Sequence, residues 1–303
     1  ETNMRKIAAQ VITVFLSATL LLSYMAICVA PLVVKNNAVA VNPLPDDPEN
    51  SQPDTNTPTT PDIPSKPEEL PSLPPHEEDT ESEPEIIPEP KAVYVRAKAN
   101  GLNVRSGPGT NYSSVGYLDK GDMVTFISKE GSWYKTVYKN KTAYISASTS
   151  YTELFEMDMH ANTVIEKVID EGLRLLGFPY VYGAIRLHDG AGRLISGFNA
   201  TKYDCSSLMQ YIYYYGADVN LNMTTRTQVK QGAHVAKSDI ARGDLIFFTN
   251  AQRYNKTGTE RIGHVAMYLG ENYILHTASD YAVIEEISTQ RWSYYIETRR
   301  FVS

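Results

Sequence analysis

Tyr203-Asp204-Cys205-Ser206-Ser207-Leu208-Met209-Gln210-Tyr211-Ile212-Tyr213-Tyr214-Tyr215-Gly216 is the stretch on which the fold turns. Leu208, Ile212 and Tyr215 share one helical face, and Asp204 stands where the cap of that helix belongs. Cys205 therefore falls in the first helical turn. Unpaired N–H groups and the positive end of the helix dipole favour a thiolate there, which predicts a lowered thiol pKa. A single cysteine is equally at home as a small buried residue, so its meaning depends on what surrounds it. Tyr211, Tyr213, Tyr214 and Tyr215 read as helix packing.

Upstream, residues 164–176 place Ile165, Val168, Gly172, Leu175 and Leu176 at helical spacing, and Gly177 with Pro179 ends that helix. Downstream, Arg242-Gly243-Asp244 leads into the buried strand Leu245-Ile246-Phe247-Phe248. Gly263-His264-Val265-Ala266-Met267-Tyr268-Leu269 and Tyr273-Ile274-Leu275-His276-Thr277 follow as further strands. A three-residue hairpin loop, Gly270-Glu271-Asn272, sets His264 opposite Ala278 with His276 as its diagonal neighbour on the same face. A two-residue loop would slip the register and separate the histidines. A thiol at a helix start with two histidines on one sheet face supplies the nucleophile, base and orienting group that acyl transfer needs.

Further out, the chain of 303 residues divides by composition. Its hydrophobic share of 42% is ample for packed cores and excludes wholesale disorder. Fourteen of the 17 prolines lie in residues 43–91, with fourteen acidic residues against two basic ones, so this stretch is a solvated linker. In polyproline II, at ~3.1 Å per residue, it reaches on the order of 100 Å. From Ala92 onward the 23 Lys and Arg only slightly exceed the 20 Asp and Glu, too little asymmetry for a nucleic-acid binder but suited to an anionic polymer. The two cysteines, Cys28 and Cys205, provide no disulfide framework, so Cys205 is expected to be a free thiol.

Residues 7–34 carry no charge, follow Arg5 and Lys6, and are long enough to cross a ~30 Å hydrocarbon core. The positive flank stays inside, which puts everything after Lys35 outside the cytoplasm. Ala38-Val39-Ala40 is a possible signal-peptidase site, but the apolar run exceeds the ~7 to 15 residues of a signal peptide, which favours an uncleaved membrane anchor over a secreted form. Met25-Ala26-Ile27 before Cys28 lacks the pattern of a lipidated cysteine.

Residues 92–149 read as short strands separated by turns at Ser106-Gly107-Pro108-Gly109, Lys120-Gly121-Asp122 and Glu130-Gly131-Ser132, a small all-β barrel. The words LNVRSGPGTNYSSVGYLDKGDMVTFI (residues 102–127), GSWYKT (131–136) and AYIS (143–146) resemble the bacterial SH3-like domain family. That resemblance implies a module that binds cell-wall peptides or packs beside a catalytic domain. Trp133, Tyr134 and Tyr144 are candidates for a peptide groove or for the barrel core.

In residues 160–303, GFPYVYG (177–183), Asp204-Cys205-Ser206-Ser207, RGDLIFF (242–248), GHVAMYLG (263–270) and YILHTAS (273–279) resemble, in order, the NlpC-type papain-like cysteine peptidases. The resemblance implies an α+β core with the cysteine at a helix N-terminus facing an antiparallel sheet. It also implies a peptidoglycan hydrolase that cuts stem peptides at the γ-D-glutamyl to diamino-acid bond. By the same resemblance Cys205 is the nucleophile, His264 the base and acid, and His276 the residue orienting His264. Tyr180 corresponds to the family tyrosine near the nucleophile, and Asp204, with Ser206 as a weaker candidate, to a subsite for the free α-amine of the stem peptide. A carboxylate beside a thiol raises the thiol pKa, so Asp204 acts as a helix cap or substrate contact and not as an activator.

Tyr182 replaces a family tryptophan; residues 184–202 form a longer connection with Arg186, His188 and Arg193 available to line a cleft; residues 250–261 add another loop. In residues 225–231, Arg226 and Gln231 match the family pattern, and Gln228 replaces a common serine. No HExxH or CxxC cluster occurs, so no metal or other cofactor is expected, and His160, His188 and His234 read as surface residues. Two other functions fit the same residues: an amidase or acyltransferase using the same trio, or a wall-binding scaffold whose site is blocked by residues 184–202.

Overall fold

The computed structural model describes residues 90–303 apart from Ser279. The apolar run 7–34, Cys28, the Ala38-Val39-Ala40 site and nearly all of the 43–91 linker lie outside the described residues. Among the described residues no helix is long and apolar enough to cross a membrane.

Eight short strands come first: β1 (Lys91–Ala97), β2 (Leu102–Arg105), β3 (Ser114–Leu118), β4 (Met123–Thr125), β5 (Ser128–Glu130), β6 (Trp133–Tyr138), β7 (Lys141–Ser146) and β8 (Thr152–Asp158). They form a five-stranded sheet ordered β3-β2-β7-β6-β5 and a three-stranded sheet ordered β4-β1-β8. Side chains alternate across each strand, so β6 turns Tyr134, Thr136 and Tyr138 inward and leaves Trp133 and Lys135 half-buried. Of the groove candidates, Tyr134 belongs to the core, whereas Trp133 and Tyr144 are only partly covered. Residues 150–159, assigned to neither unit by the sequence, contain β8, which pairs with β1 along its whole length.

The second part holds α1 (Thr163–Arg174), α2 (Cys205–Ala217), α3 (Thr225–Gln228), β9 (Ala233–His234), β10 (Leu245–Phe248), β11 (His264–Gly270), β12 (Tyr273–Thr277), β13 (Ala282–Glu286), α4 (Thr289–Ser293) and β14 (Tyr295–Arg300). Its six strands form one antiparallel sheet ordered β13-β12-β11-β10-β14-β9. Asn162 caps α1 by accepting from the Val164 N–H. Helices α1 and α2 pack together, and α2 lies on β11 and β12. Gly216 permits the helix crossing, because a Cβ there would sit 2.5 Å from the Val168 Cα.

The barrel and the helix-sheet part share one apolar core, which runs from Tyr94, Val124 and Ile145 through Ile165 and Leu176 to Met267 and Leu275. Arg242, buried, ties the parts together. It meets both oxygens of Glu166 on α1 at 2.7 and 2.8 Å, donates to the Leu269 carbonyl at 2.7 Å, and reaches the Tyr94 hydroxyl on β1 at 3.1 Å. The β6–β7 turn places Lys139 and Asn140 at φ 51° and 55°, without glycine. Their N–H groups donate to the carbonyls of Leu176 and Arg174, so a barrel turn satisfies the otherwise unpaired C-terminal end of α1.

Candidate active site

Asp204 caps α2 as its spacing predicts. Its Oδ1 accepts from the Ser207 N–H at 2.8 Å, and the Ser207 hydroxyl accepts from the Asp204 N–H, a reciprocal capping box. Cys205 is the first residue of α2, a free thiol only 9% exposed. Its sulfur meets the backbone N–H of Val265, the residue after His264, so the helix start is seated against β11.

The thiol pKa departs from the expectation of a lowered value. Burial, with the negative charge of Asp204 added to it, pushes Cys205 up to about 12, and the Val265 and Ser206 N–H groups and Arg186 do not offset this. Helix-start polarity is outweighed because the sulfur has almost no water. His264 lies well below its ordinary value, since burial, His276 and Arg291 all oppose its protonation. The resting groups are therefore a neutral thiol on α2 and a neutral imidazole on β11.

His264 and His276 meet as the sequence requires, but by another route. The β11–β12 turn is the two-residue loop Glu271-Asn272, both in the left-handed region at φ 49° and 66°, and not the three-residue loop expected. A bulge between Tyr268 and Gly270 adds back the missing residue, so Met267 still faces Leu275. Extending that register sets His264 opposite Ala278 and leaves His276 diagonal to it. His264 Nε2 and His276 Nδ1 are 2.9 Å apart, with the rings edge to face.

Glu285, which the sequence reading did not single out, completes this row. Its Oε1 lies 3.0 Å from His276 Nε2, off the line of the N–H bond, and 2.8 Å from Arg291 Nη2. Burial raises this carboxyl, but His276 and Arg291 outweigh it and bring it down to about 2, so it is ionised. His276 itself is lowered by burial against the pull of Glu285. An ionised carboxylate at Nε2 requires the proton of neutral His276 to sit there. Nδ1 must then accept from His264 Nε2–H, which leaves His264 Nδ1 as a bare lone pair able to take a thiol proton. The β12–β13 register signals Glu285: His276 pairs with Val283, and two residues on, on the same face, an acid interrupts an apolar strand.

Two adjoining cavities flank these groups. One of about 540 Å³ is lined by Cys205, Tyr180, Asp204, Ser206 and Arg226 among others, and one of about 620 Å³ by His264 and His276; Tyr180, Asn250, Gln252 and Gly263 line both. The Tyr180 phenol is raised by burial and by its nearness to Cys205 and Asp204, so it stays a proton donor. Gln228 pins the cleft wall by donating to the carbonyls of Ser206 and Asn222. Tyr182 is 86% exposed beside the cleft.

Of the three cleft candidates in residues 184–202, only Arg186 reaches it. His188, read as a surface or cleft residue, is fully buried against Tyr214, because the segment folds its apolar Leu187 and His188 under α2. Arg193 is exposed and paired with Asp189. Arg186 bonds Asp204 Oδ2 at 2.9 Å and the Ser206 hydroxyl at 3.0 Å. Asp204 is thus paired within the protein. Arg226 and Arg253 are both held by Glu260, at 3.3 and 3.1 Å. Among the described residues no group of three or more His, Cys, Asp or Glu is placed to hold a metal.

An α+β domain with a cysteine at a helix start against an antiparallel sheet, behind an SH3-like barrel, is the class that this geometry defines. Residues 177–300 match the NlpC/P60 family and residues 100–151 the Bacterial SH3 domain, so the chain carries one domain of each. It is similar to the peptidoglycan endopeptidase RipA of Mycolicibacterium smegmatis, 28% identical over 46% of this chain and 26% of that protein. The gamma-DL-glutamyl hydrolase of Bacillus subtilis is 28% identical over 58% of this chain and 38% of its own length. The peptidoglycan DL-endopeptidase CwlO of Bacillus licheniformis is 32% identical over 42% and 26%. This chain thus spans well under half the length of each. Among solved structures, an NlpC/P60 family protein from Bacillus cereus is similar over 70% of this chain and 64% of that one, with a TM-score of 0.37 and 20% identity. A Staphylococcus aureus protein of the NLP/P60 family is similar over 48% and 43%, with a TM-score of 0.38 and 26% identity.

Proposed function

We propose that the chain is a peptidoglycan hydrolase, a cysteine endopeptidase acting on stem peptides at the γ-D-glutamyl to diamino-acid bond through a thioester on Cys205. The observation that carries this reading is the buried Cys205 thiol at the start of α2, seated against the backbone N–H of Val265 next to His264, with His276 bonded to His264 and Glu285 at the far nitrogen of His276. As Cys205 Sγ attacks the scissile carbonyl carbon, its proton passes to His264 Nδ1. The developing oxyanion accepts from the Tyr180 hydroxyl and from the Cys205 backbone N–H, which at the first helical position has no intrahelical partner. His264 then gives the proton to the leaving amine. Water, deprotonated by the same nitrogen, hydrolyses the thioester and restores the thiol. The high resting pKa of Cys205 makes proton transfer concerted with attack, and it is not a standing ion pair. Arg226, on the cleft wall, contacts substrate.

In this reading residues 1–42 hold the enzyme at the outer face of the membrane or direct its export, and residues 43–91 give it reach into the wall. Residues 92–149 support or target the catalytic unit, residues 160–303. The relatives named for peptidoglycan cleavage support this substrate. The test is a digest of purified peptidoglycan by the full chain and by Cys205→Ala, with mass spectrometry of the fragments. New D-glutamyl ends that are absent with Cys205→Ala are expected. Release of whole stem peptides would point to an amidase, transfer to an added amine to an acyltransferase, and binding without products to a scaffold.

A further inference from the structure

The proposed reaction divides between the two cavities. An acyl group carried on Cys205 occupies the cavity that Cys205 lines, and the amine that takes its proton from His264 departs through the one of about 620 Å³ lined by His264 and His276. Tyr180, Asn250, Gln252 and Gly263 are common to both, so the two are joined where the bond breaks. The chemistry of the second cavity therefore describes the leaving residue.

That cavity offers donors and no anion. Among the described residues no Asp or Glu lines it, and Arg291 is the one Arg or Lys on its wall. Arg291 gives Nη2 to Glu285 at 2.8 Å, while Glu285 itself stays outside the cavity. The Nε and Nη1 groups of Arg291 meet no acceptor among the described residues. Thr249 and Thr277 stand on the same wall, each 2% exposed, and neither hydroxyl has a partner among the described residues. A buried polar group left unpaired costs about 1 to 3 kcal/mol, which a bound acceptor removes. A guanidinium with free N–H groups and two unpaired hydroxyls match a carboxylate, which accepts about four hydrogen bonds and takes charge-assisted ones from Arg. An ammonium finds no carboxylate there to receive it.

We propose that the cavity beside His264 and His276 is the leaving-group subsite and that it selects a leaving residue bearing a free carboxylate, with Arg291 as the residue that reads the charge. This rests on the peptidase reading above and specifies its substrate: a leaving diamino acid whose side chain ends in a carboxylate beside its amine, in preference to one ending in the amine alone or in the corresponding amide. Bound there, the carboxylate also offsets the Arg291 charge that opposes protonation of His264, so part of the preference falls in kcat.

Three stem peptides test this on the full chain, identical except that the side chain of the leaving residue ends in an ammonium with a carboxylate, with a carboxamide or with hydrogen. The carboxylate peptide should be hydrolysed with at least tenfold higher kcat/KM than either of the others, and Arg291→Gln should bring both ratios to within twofold of one. Arg291 also bonds Glu285, so its loss changes all three rates, and the ratio cancels that common effect. Thr249→Val, which removes an unpaired hydroxyl at nearly equal size and leaves Glu285 alone, should lower the ratios severalfold. Equal or faster hydrolysis of the amide or hydrogen peptide by the unaltered chain would overturn the proposal, as would a preference that Arg291→Gln leaves intact. Calorimetric titration of the peptides into Cys205→Ala separates it from the peptidase reading. Tighter binding of the carboxylate peptide without turnover by the unaltered chain sustains the subsite and removes the hydrolase. Equal binding of the three, or no binding of any, overturns the subsite.

Discussion

Replacing Glu285 by Gln removes one charge from the end of the histidine row and leaves an oxygen that can still accept from His276. In the transition state His264 becomes an imidazolium. The rings of His264 and His276 are 5.0 Å apart and Glu285 lies 3.0 Å beyond His276 Nε2. Taking about 8 Å between the charges and an effective dielectric of about 20, the attraction is roughly 2 kcal/mol. A loss of that size lowers kcat about 30-fold. Glu285 does not line the cavity holding Cys205, so KM should stay within about twofold. The substitution also strands Arg291, whose charge already opposes protonation of His264. Adding Arg291→Leu to Glu285→Gln should therefore recover part of kcat, a non-additivity that a merely structural role would not produce. With a folded pKa of about 2, below the unfolded value, the contribution of Glu285 to stability is present above about pH 4.5 and is lost only as the pH falls through 2. Rate profiles of variant and parent between pH 5 and 9 should accordingly run parallel. The assay is steady-state hydrolysis of a stem peptide, with thermal unfolding as a control. A kcat within threefold of the parent in a fully folded variant would refute the reasoning.

The buried thiol predicts slow alkylation: the rate of Cys205 with iodoacetamide at pH 7 should fall below that of free cysteine and still be rising at pH 9.5, whereas a plateau reached near pH 7 would contradict a thiol pushed up to about 12. Asp122, at the barrel face that meets Tyr281, is raised to about 6 by burial and then by Asp119 and Glu285. Because its folded value exceeds the unfolded one, stability declines as pH rises from about 4 through 6, by roughly 3 kcal/mol in all. Asp122→Asn should thus raise Tm at pH 8 and change it little at pH 4, and equal shifts at both would argue against it.

Much of the catalytic unit was legible because its signals are local. A capping aspartate, an apolar face at helical spacing and strands with turn residues between them located α2, β11 and β12. The histidine pair was legible through register, although by the wrong loop: a two-residue turn and a bulge at Leu269 give the same net offset as three loop residues. Two opposing irregularities cancel in a count along the chain. Helix-start chemistry suggested a lowered thiol pKa, but desolvation by the sheet beneath is a three-dimensional quantity and carries the opposite sign. His188 looked like a surface residue because its polarity was read without knowing that residues 184–202 tuck under α2.

The sequence by itself determined the helix that presents Cys205 and the strands that carry His264 and His276, since caps, periodicity and turns act over a few neighbouring residues. Only the tertiary structure decided that Arg186 pairs with Asp204, that Glu285 stands at Nε2 of His276, and that Arg242 joins the barrel to the helices. These contacts span 18, 9 and 76 or more residues of chain and depend on burial, which turns a solvated charge into one that must find a partner.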